Sequence, residues 1–373
     1  MQKKIVITAG GTGGHLFPAQ ALAQQLKKKD SRLGLLFVGG GLEGNTFFNS
    51  EAFVFQEVSV GYLSDKNPWH LFRNCTRIIR GTWQSWRILR KYRPDVVVGF
   101  GSYHTLPTLL AAKFCRVPII LHEANSVPGK INRILSRFVK VTGLHLPQAA
   151  CLLTGKTIEV GMPLREGYEV DYCSKSEARQ HYGLDPESFT FLAFGGSQGA
   201  LALNILFSKA IVDHLAQRSL RYQVLHFTGN ETLAQELQQL YDEHSVVAYV
   251  AAFEDRMDLA WQAADLAVTR AGAGTIAEQL AMEVPAILIP YPYATDQHQD
   301  GNADFMAGKV GGAVMVREAH LGPKTLAEMI SHLVADNKEQ LRNMQEAMRC
   351  SKSDARQRDL CSLVCEVAGI QVR

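Results

Sequence analysis

Short apolar runs rich in β-branched residues recur along the chain, at Ile5–Thr8, Leu35–Val38, Val96–Val98, Ile119–Leu121, Phe189–Phe194, Val224–Phe227, Leu266–Thr269 and Ala286–Ile289. Amphipathic stretches separate them. Strands that are apolar on both faces, joined by crossovers long enough for a helix, predict parallel sheets covered on both sides. The pattern therefore predicts an α/β protein with doubly wound parallel sheets.

One device occurs twice. Lys4–Ala9 runs into Gly10-Gly11-Thr12-Gly13-Gly14 and then a helical Phe17–Lys28. Phe189–Phe194 runs into Gly195-Gly196-Ser197-Gln198-Gly199 and then a helical Ala200–Leu215, with matching glycine spacing at an offset of 185 residues. Each copy is expected to open its own domain, and 373 residues exceed one typical core. The expected division is 1–162, 163–340 and a helical 341–373 that packs back on the N-terminal domain. Gly161-Met162-Pro163 punctuates the first boundary. Two Rossmann-like domains facing a cleft would bind ligands at the carboxyl ends of their strands.

Charge changes this picture. Residues 1–163 hold 21 Lys/Arg against 8 Asp/Glu, and residues 164–373 hold 18 against 28. The basic half is expected to meet something anionic. Between Lys66 and Arg93 there are eight Lys/Arg and no acid, together with Trp69, Trp83 and Trp86. Leu71, Phe72, Cys75, Ile78, Ile79, Trp86 and Leu89 fall at helical spacing, with Arg73, Arg77, Arg80, Arg87 and Lys91 opposite. Such a helix suits an anionic membrane surface, or else lays the apolar stripe on the core. No motif supports nucleic-acid binding. The seven scattered cysteines read as reduced thiols without a zinc set. No leader or spanning segment is expected, since Lys3 and Lys4 precede only five apolar residues. These features predict a cytoplasmic protein.

Glycine-rich strand-to-helix turns let backbone amides approach a phosphate, and the helix start favours negative charge. The dinucleotide fingerprint fails, because Leu16 stands where a small residue is needed and no acid closes the second strand. The Walker pattern fails too, which disfavours nicotinamide enzymes and P-loop NTPases. His15, directly after the first turn, is a candidate general base or else a packing residue. In Arg270–Glu278 a helix is expected to start near Thr275. Glu278 would then sit in its first turn as an acceptor for a ribose diol, or close a capping box with Thr275. Asp296-Gln297-His298-Gln299-Asp300 is a weak metal signal, and hydrogen bonding of His298 and Gln299 to a sugar is the preferred reading. His122–Asn125 ends a strand with polar residues, as a site or as a self-bonded loop.

In this order, Gly10–His15, Gly101-Ser102-Tyr103, His122-Glu123-Ala124-Asn125, Gly161–Arg165, Gly195–Ala200, the Ala273–Glu278 loop and Asp296–Gln299 resemble one family: the transferases that use UDP-N-acetylglucosamine (UDP-GlcNAc) to make lipid II for peptidoglycan. The resemblance spans essentially the whole chain. Each motif is moderately specific, and seven in order are strong. It implies a GT-B fold of two Rossmann-like domains and inverting transfer of GlcNAc from UDP-GlcNAc to the C4 hydroxyl of MurNAc in lipid I. No cofactor or metal is implied. Lipid I, an undecaprenyl-diphosphate-MurNAc-pentapeptide, would be met peripherally at the cytoplasmic face of the inner membrane. Other cell-wall or cell-division proteins would be partners.

By the same resemblance, Thr12, Gly13, Gly14 and His15 lie near the acceptor diphosphate and the transferred sugar, with His15 as base. Gly11, Tyr103 and His122 line the acceptor side, and Asn125 contacts GlcNAc. Arg165 and Ser197 face the donor diphosphate. Glu254 offers a backbone contact to uracil. Ala273, Gly274, Thr275 and Glu278 form the ribose loop, and His298 and Gln299 contact sugar hydroxyls. Two residues depart from the family pattern: Ala124 stands where Gln is usual, which puts a sugar or acceptor contact in doubt, and Met162 where Asn is usual. Alternatives are a UDP-GlcNAc 2-epimerase, another GT-B lipid glycosyltransferase, or a binding protein without turnover. Product analysis with UDP-GlcNAc alone separates the first from the rest.

Overall fold

The computed structural model describes residues 2–62, 67–168, 172–196, 199–215, 221–354 and 358–370. In chain order the elements are β1 (Lys4–Thr8), α1 (Gly13–Lys29), β2 (Gly34–Gly39), β3 (Phe55–Glu57), α2 (Pro68–Tyr92), β4 (Val96–Gly99), α3 (Leu106–Phe114), β5 (Ile119–Glu123), α4 (Lys130–Leu135), β6 (Val141–Leu144) and β7 (Thr157–Gly161). There follow α5 (Lys175–His181), β8 (Phe189–Phe194), α6 (Leu201–Lys209), β9 (Tyr222–Phe227), α7 (Glu231–Glu243), β10 (Ala248–Ala251), α8 (Met257–Ala263) and β11 (Leu266–Thr269). The last elements are α9 (Ala273–Met282), β12 (Ala286–Leu288), α10 (His298–Asp304), β13 (Ala313–Met315), α11 (Pro323–Asp354), β14 (Arg358–Asp359) and α12 (Leu360–Ala368).

The chain forms two compact units, Met1–Arg165 with Gln357–Arg373, and Glu166–Arg356. The first unit is an eight-stranded parallel sheet in the order β14-β7-β6-β5-β4-β1-β2-β3. The second is a six-stranded parallel sheet, β10-β9-β8-β11-β12-β13. In both the strand order reverses beside the strand that carries a glycine turn, between β1 and β4 and between β8 and β11. Such switch points are where ligands sit in open α/β sheets.

The long apolar strands are buried on both faces, Ile5, Val6, Ile7, Val96, Val97 and Val98 being fully covered. One face of the first sheet is sealed by α1 together with Leu360, Cys361, Val364 and Cys365 of α12. Residues 341–373 therefore do not act as one segment. α11 runs from Pro323 to Asp354, with Lys338 in a left-handed conformation (φ +64°), and buries Leu326, Ile330 and Leu341 in the second unit's core, while α12 belongs to the first unit.

α2 does not lay its whole apolar stripe on the core. Of the apolar stripe, only Ile78 and Leu89 are buried. The buried line is Ile78, Gly81, Ser85 and Leu89, and it is built for close approach. A Cβ on Gly81 would meet the Ser59 carbonyl oxygen, and Ser85 Oγ lies 3.2 Å from Thr108 Oγ1 of α3. The bulky Trp69, Phe72, Ile79 and Trp83 are more than half exposed.

Candidate active site

In the first unit the polypeptide leaves β1 through Gly10 and Gly11 and enters α1 at Gly13, four residues before the expected helix. Gly11 has φ +91°, a conformation costly for any other residue, and a Cβ on Gly10 would sit 2.5 Å from the Gly40 carbonyl oxygen. Thr12 is the N-cap, and its carbonyl accepts from the amides of His15 and Leu16. Pro18 has no N–H to donate to the Gly14 carbonyl, so that bond of the α1 ladder is not made. Thr12 and Gly14 are exposed, and His15 is half-buried.

His15 lies against the loop after β4, since a Cβ on Gly101 would be 3.6 Å from its Cε1. Behind it, His122 is buried at the end of β5, against the Phe100 ring. Burial first, then the nearby His145 and His15, push the His122 pKa down to about 3. His122 is therefore a neutral neighbour that does not repel a proton arriving on His15. The loop after β5 is tied by a carboxylate that the motif contained but the sequence did not single out. Glu123, buried, accepts from the Asn125 amide (3.0 Å), the Gly129 amide (3.0 Å) and Asn132 Nδ2 (2.9 Å), and burial raises its pKa against these bonds. Asn132 Nδ2 also donates to the His122 carbonyl (3.1 Å). Glu123 and Asn132 thus hold Asn125 in place.

Tyr103 packs its ring on Tyr62 (6.0 Å) in the loop after β4. Arg165, expected at the donor diphosphate, belongs to the first unit. Its guanidinium stacks over Phe17 (5.0 Å), and the Phe17 ring in turn closes over Gly13. A cation therefore flanks the first glycine turn.

In the second unit Gly195 and Gly199 are required by close packing. A Cβ on either would come within 2.3 Å of an atom, the Ala200 Cβ or the Thr228 carbonyl oxygen respectively. Ser197 lies outside the described residues. The neighbouring Thr228 carbonyl is held by Asn204 Nδ2 (2.8 Å), and Asn204 Oδ1 by His226 Nε2 (3.2 Å).

The helix after β11 starts at Ala273 with Gly272 as N-cap, so Glu278 is its sixth residue and there is no capping box. Small residues at Ala271–Gly274 let the backbone turn two residues sooner than the Thr275 signal suggested. Thr275 is buried, while Glu278 is half-buried and accepts from Trp261 Nε1 (2.9 Å). Trp261, itself fully buried against Phe194 of β8, orients this carboxylate; no spacing in the sequence linked the two.

After β12, Asp296 and Gln297 both adopt left-handed conformations (φ +52°) to bring His298 and Gln299 to the start of α10. Gln299 Oε1 accepts from the amides of Ala271 (3.2 Å) and Tyr291 (2.9 Å) and staples the two loops together. His298 Nδ1 donates to the Thr295 carbonyl (2.7 Å), which leaves Nε2 as the acceptor nitrogen of the neutral ring. Glu254 Oε1 accepts from the Arg256 amide (2.7 Å) beyond β10. The second unit thus gathers Ala273, Gly274, Glu278, His298 and Gln299 beyond the carboxyl ends of β11 and β12.

Comparison with known proteins fits this arrangement. Residues 5–143 match the glycosyltransferase family 28 N-terminal domain, and residues 190–358 match its C-terminal domain. The chain belongs to glycosyltransferase family 28. A family relative from Protochlamydia amoebophila is 51% identical over 90% of this chain and 88% of its own. One from Halothermothrix orenii is 34% identical over 95% and 96%. Both are named UDP-N-acetylglucosamine–N-acetylmuramyl-(pentapeptide) pyrophosphoryl-undecaprenol N-acetylglucosamine transferase. The crystal structure of Acinetobacter baumannii MurG is similar at 25% identity, with a TM-score of 0.76 over 99% of this chain and all of that one. A UDP-glucose:anthocyanidin 3-O-glucosyltransferase in complex with UDP shares the fold at 14% identity, with a TM-score of 0.65 over both full chains. The GT-B architecture of two parallel-sheet units is therefore that of the family 28 glycosyltransferases.

Proposed function

We propose that this glycosyltransferase moves GlcNAc from UDP-GlcNAc to the C4 hydroxyl of MurNAc in lipid I, giving lipid II and UDP. The acceptor oxygen attacks the anomeric carbon, the bond to the UDP oxygen breaks on the opposite face, and the configuration inverts. His15 takes the hydroxyl proton. A positioned base of this kind contributes about 10²–10⁴-fold. The observation that carries the reading is a half-buried histidine at the open start of α1, backed by a neutral His122, at the switch point of a family 28 fold.

In the second unit Glu278, set by Trp261, accepts from the ribose diol. Gln299 spends its oxygen on two backbone amides, so it meets sugar hydroxyls as a donor through its NH₂ group. The amides of Ala273 and Gly274 open α9, and the turn after β8 opens α6. Both helix starts favour the negative charge that grows on the leaving diphosphate.

The setting we infer is an anionic membrane surface, met peripherally through α2. Trp83 and Trp86 are exposed and carry Arg87 and Arg90 over their rings (4.9 and 5.1 Å). Phe138, also exposed, carries Lys113 and Arg137 over its ring (5.6 and 5.2 Å), and Phe114 is exposed as well. Aromatic rings that seat in the headgroup region beside cations are the expected chemistry of such a contact. No described helix is long and apolar enough to cross a membrane.

The test is UDP release from UDP-GlcNAc with and without a lipid I analogue. Acceptor-dependent release with a disaccharide-lipid product is expected. Conversion of UDP-GlcNAc to UDP-ManNAc without acceptor would replace the reading by an epimerase, and net UDP release without acceptor would replace it by a hydrolase.

A further inference from the structure

His104 has no role in the account above, yet the first glycine turn is built on its ring. A Cβ on Gly10 would lie 2.7 Å from its Cβ, one on Gly11 3.2 Å from its Cε1 and Nδ1, and one on Gly41 3.5 Å from its Nε2. Both ring nitrogens face hydroxyls. Nδ1 is 2.8 Å from Ser102 Oγ, and Nε2 is 3.0 Å from the Tyr62 hydroxyl. Ser102 is held in a left-handed conformation (φ +72°), with its carbonyl accepting from Thr105 Oγ1 (2.9 Å). The Tyr62 carbonyl accepts from Asn74 Nδ2 of α2 (2.8 Å). Ser102 Oγ lies 3.7 Å from a Cβ placed on Gly11, and the Tyr62 hydroxyl stands at the other ring nitrogen, Nε2, the one next to Gly41.

A neutral imidazole has one N–H and one acceptor nitrogen, so one of the two hydroxyls must donate into the ring. A protonated ring donates to both, so the one hydroxyl hydrogen that was bound to the ring is released as well. An anion above Gly11 would then meet two O–H donors and a positive charge beneath it. We propose that Tyr62, His104 and Ser102 form a proton-linked seat for a phosphate group of the acceptor, in which His104 takes up a proton as the anion binds. This rests on the reading of the first glycine turn as the acceptor's diphosphate site.

The surrounding groups agree with a ring that is neutral until a ligand arrives. Burial lowers the His104 pKa, and Glu57 on β3 opposes this from a distance. The Glu57 carboxylate is itself occupied by the amides of Gly41, Leu42 and Glu43. Among the described residues, the other titratable groups on the elements packed around the ring include Tyr62, Tyr103, Glu43 on the Gly41 loop and, past Gly101, His15 on α1.

Two measurements decide the matter. The first is the KM for a lipid I analogue against pH at saturating UDP-GlcNAc. In the wild type it should rise with pH by up to about tenfold per unit between the free and ligand-bound pKa values of His104. In His104→Gln that rise should vanish, while the pH dependence of the KM for UDP-GlcNAc stays that of the wild type. Tyr62→Phe should raise the acceptor KM and keep its slope. The second is the ring titration of His104 in nitrogen-15-histidine-labelled protein, with and without inorganic pyrophosphate. An upward pKa shift of about one unit or more is expected. Parallel acceptor-KM profiles in wild type and His104→Gln, or a titration that pyrophosphate leaves unmoved, would overturn the inference. Absence of acceptor-dependent turnover in the wild type would count against the proposed function instead, and the pyrophosphate titration would still decide the role of His104.

Discussion

At the scale of single residues, the proposed chemistry separates proton transfer from donor binding. His15→Ala should lower turnover by about 10²–10⁴-fold, while UDP-GlcNAc affinity by calorimetry stays within about threefold. Equal losses in both would remove His15 from the base role. Glu278→Gln keeps an oxygen for the Trp261 indole but loses the charge that accepts from a diol. It should raise the KM for UDP-GlcNAc by about 10–100-fold with a smaller change in kcat, the size expected for hydrogen bonds to a charged group. Residues of this kind were legible where glycine or a strand end announced them, as at Gly11–His15 and His122–Asn125. Those that act through a neighbour were not. Trp261 reaches Glu278 across 17 positions, and Tyr62 reaches His104 across 42, and no local pattern encodes such a pairing.

At the scale of elements, α2 separates burial from exposure in an unusual way. Its contact with the body of the first unit runs through Ile78, Gly81, Ser85 and Leu89, so the large apolar groups it leaves exposed are not needed for folding. Replacing Ile79 and Trp83 together by Ser should leave the thermal midpoint nearly unchanged, because both are more than half exposed. It should sharply reduce sedimentation with vesicles containing anionic lipid, and added salt should release the wild type from the same vesicles. Loss of thermal stability without loss of vesicle binding would show that the face serves the fold. The sequence pattern identified the helix but assigned its apolar stripe by spacing alone, and spacing does not reveal which side has backbone close enough to demand glycine. The central strands were legible for the opposite reason: burial on both faces leaves an uninterrupted apolar run. β3, β10, β13 and β14 lie at sheet edges and are short or polar, so they carry no such run. β6 and β7 are interior but interrupted by Thr, Glu and Gly.

At the scale of the whole molecule, three buried histidines tie stability to pH. Burial lowers the pKa to about 3 for His122 and His226 and to about 4 for His145, from an ordinary 6.5. As pH falls through 6.5 the unfolded chain takes up these protons and the folded chain does not. Stability should therefore decline below that point, by up to about 1.4 kcal/mol per pH unit for each histidine. Urea unfolding at a series of pH values checks the slope. His122 and His145 act on the first unit and His226 on the second, so both units should weaken together in acid. A pH-independent urea midpoint down to about pH 5 would contradict this.

The first unit's sheet is finished by residues from the far end of the chain: β14 pairs with β7, and α12 fills the core beside Ile5 and Ile7. Translation is vectorial, so a ribosome finishes the second unit while the first still lacks its closing seam. The N-terminal unit therefore waits as an incomplete nascent body, its core open beside Ile5 and Ile7, until α12 emerges. A chain truncated after Asp354 would lose β14 and α12 from the N-terminal unit and keep every element of the C-terminal unit.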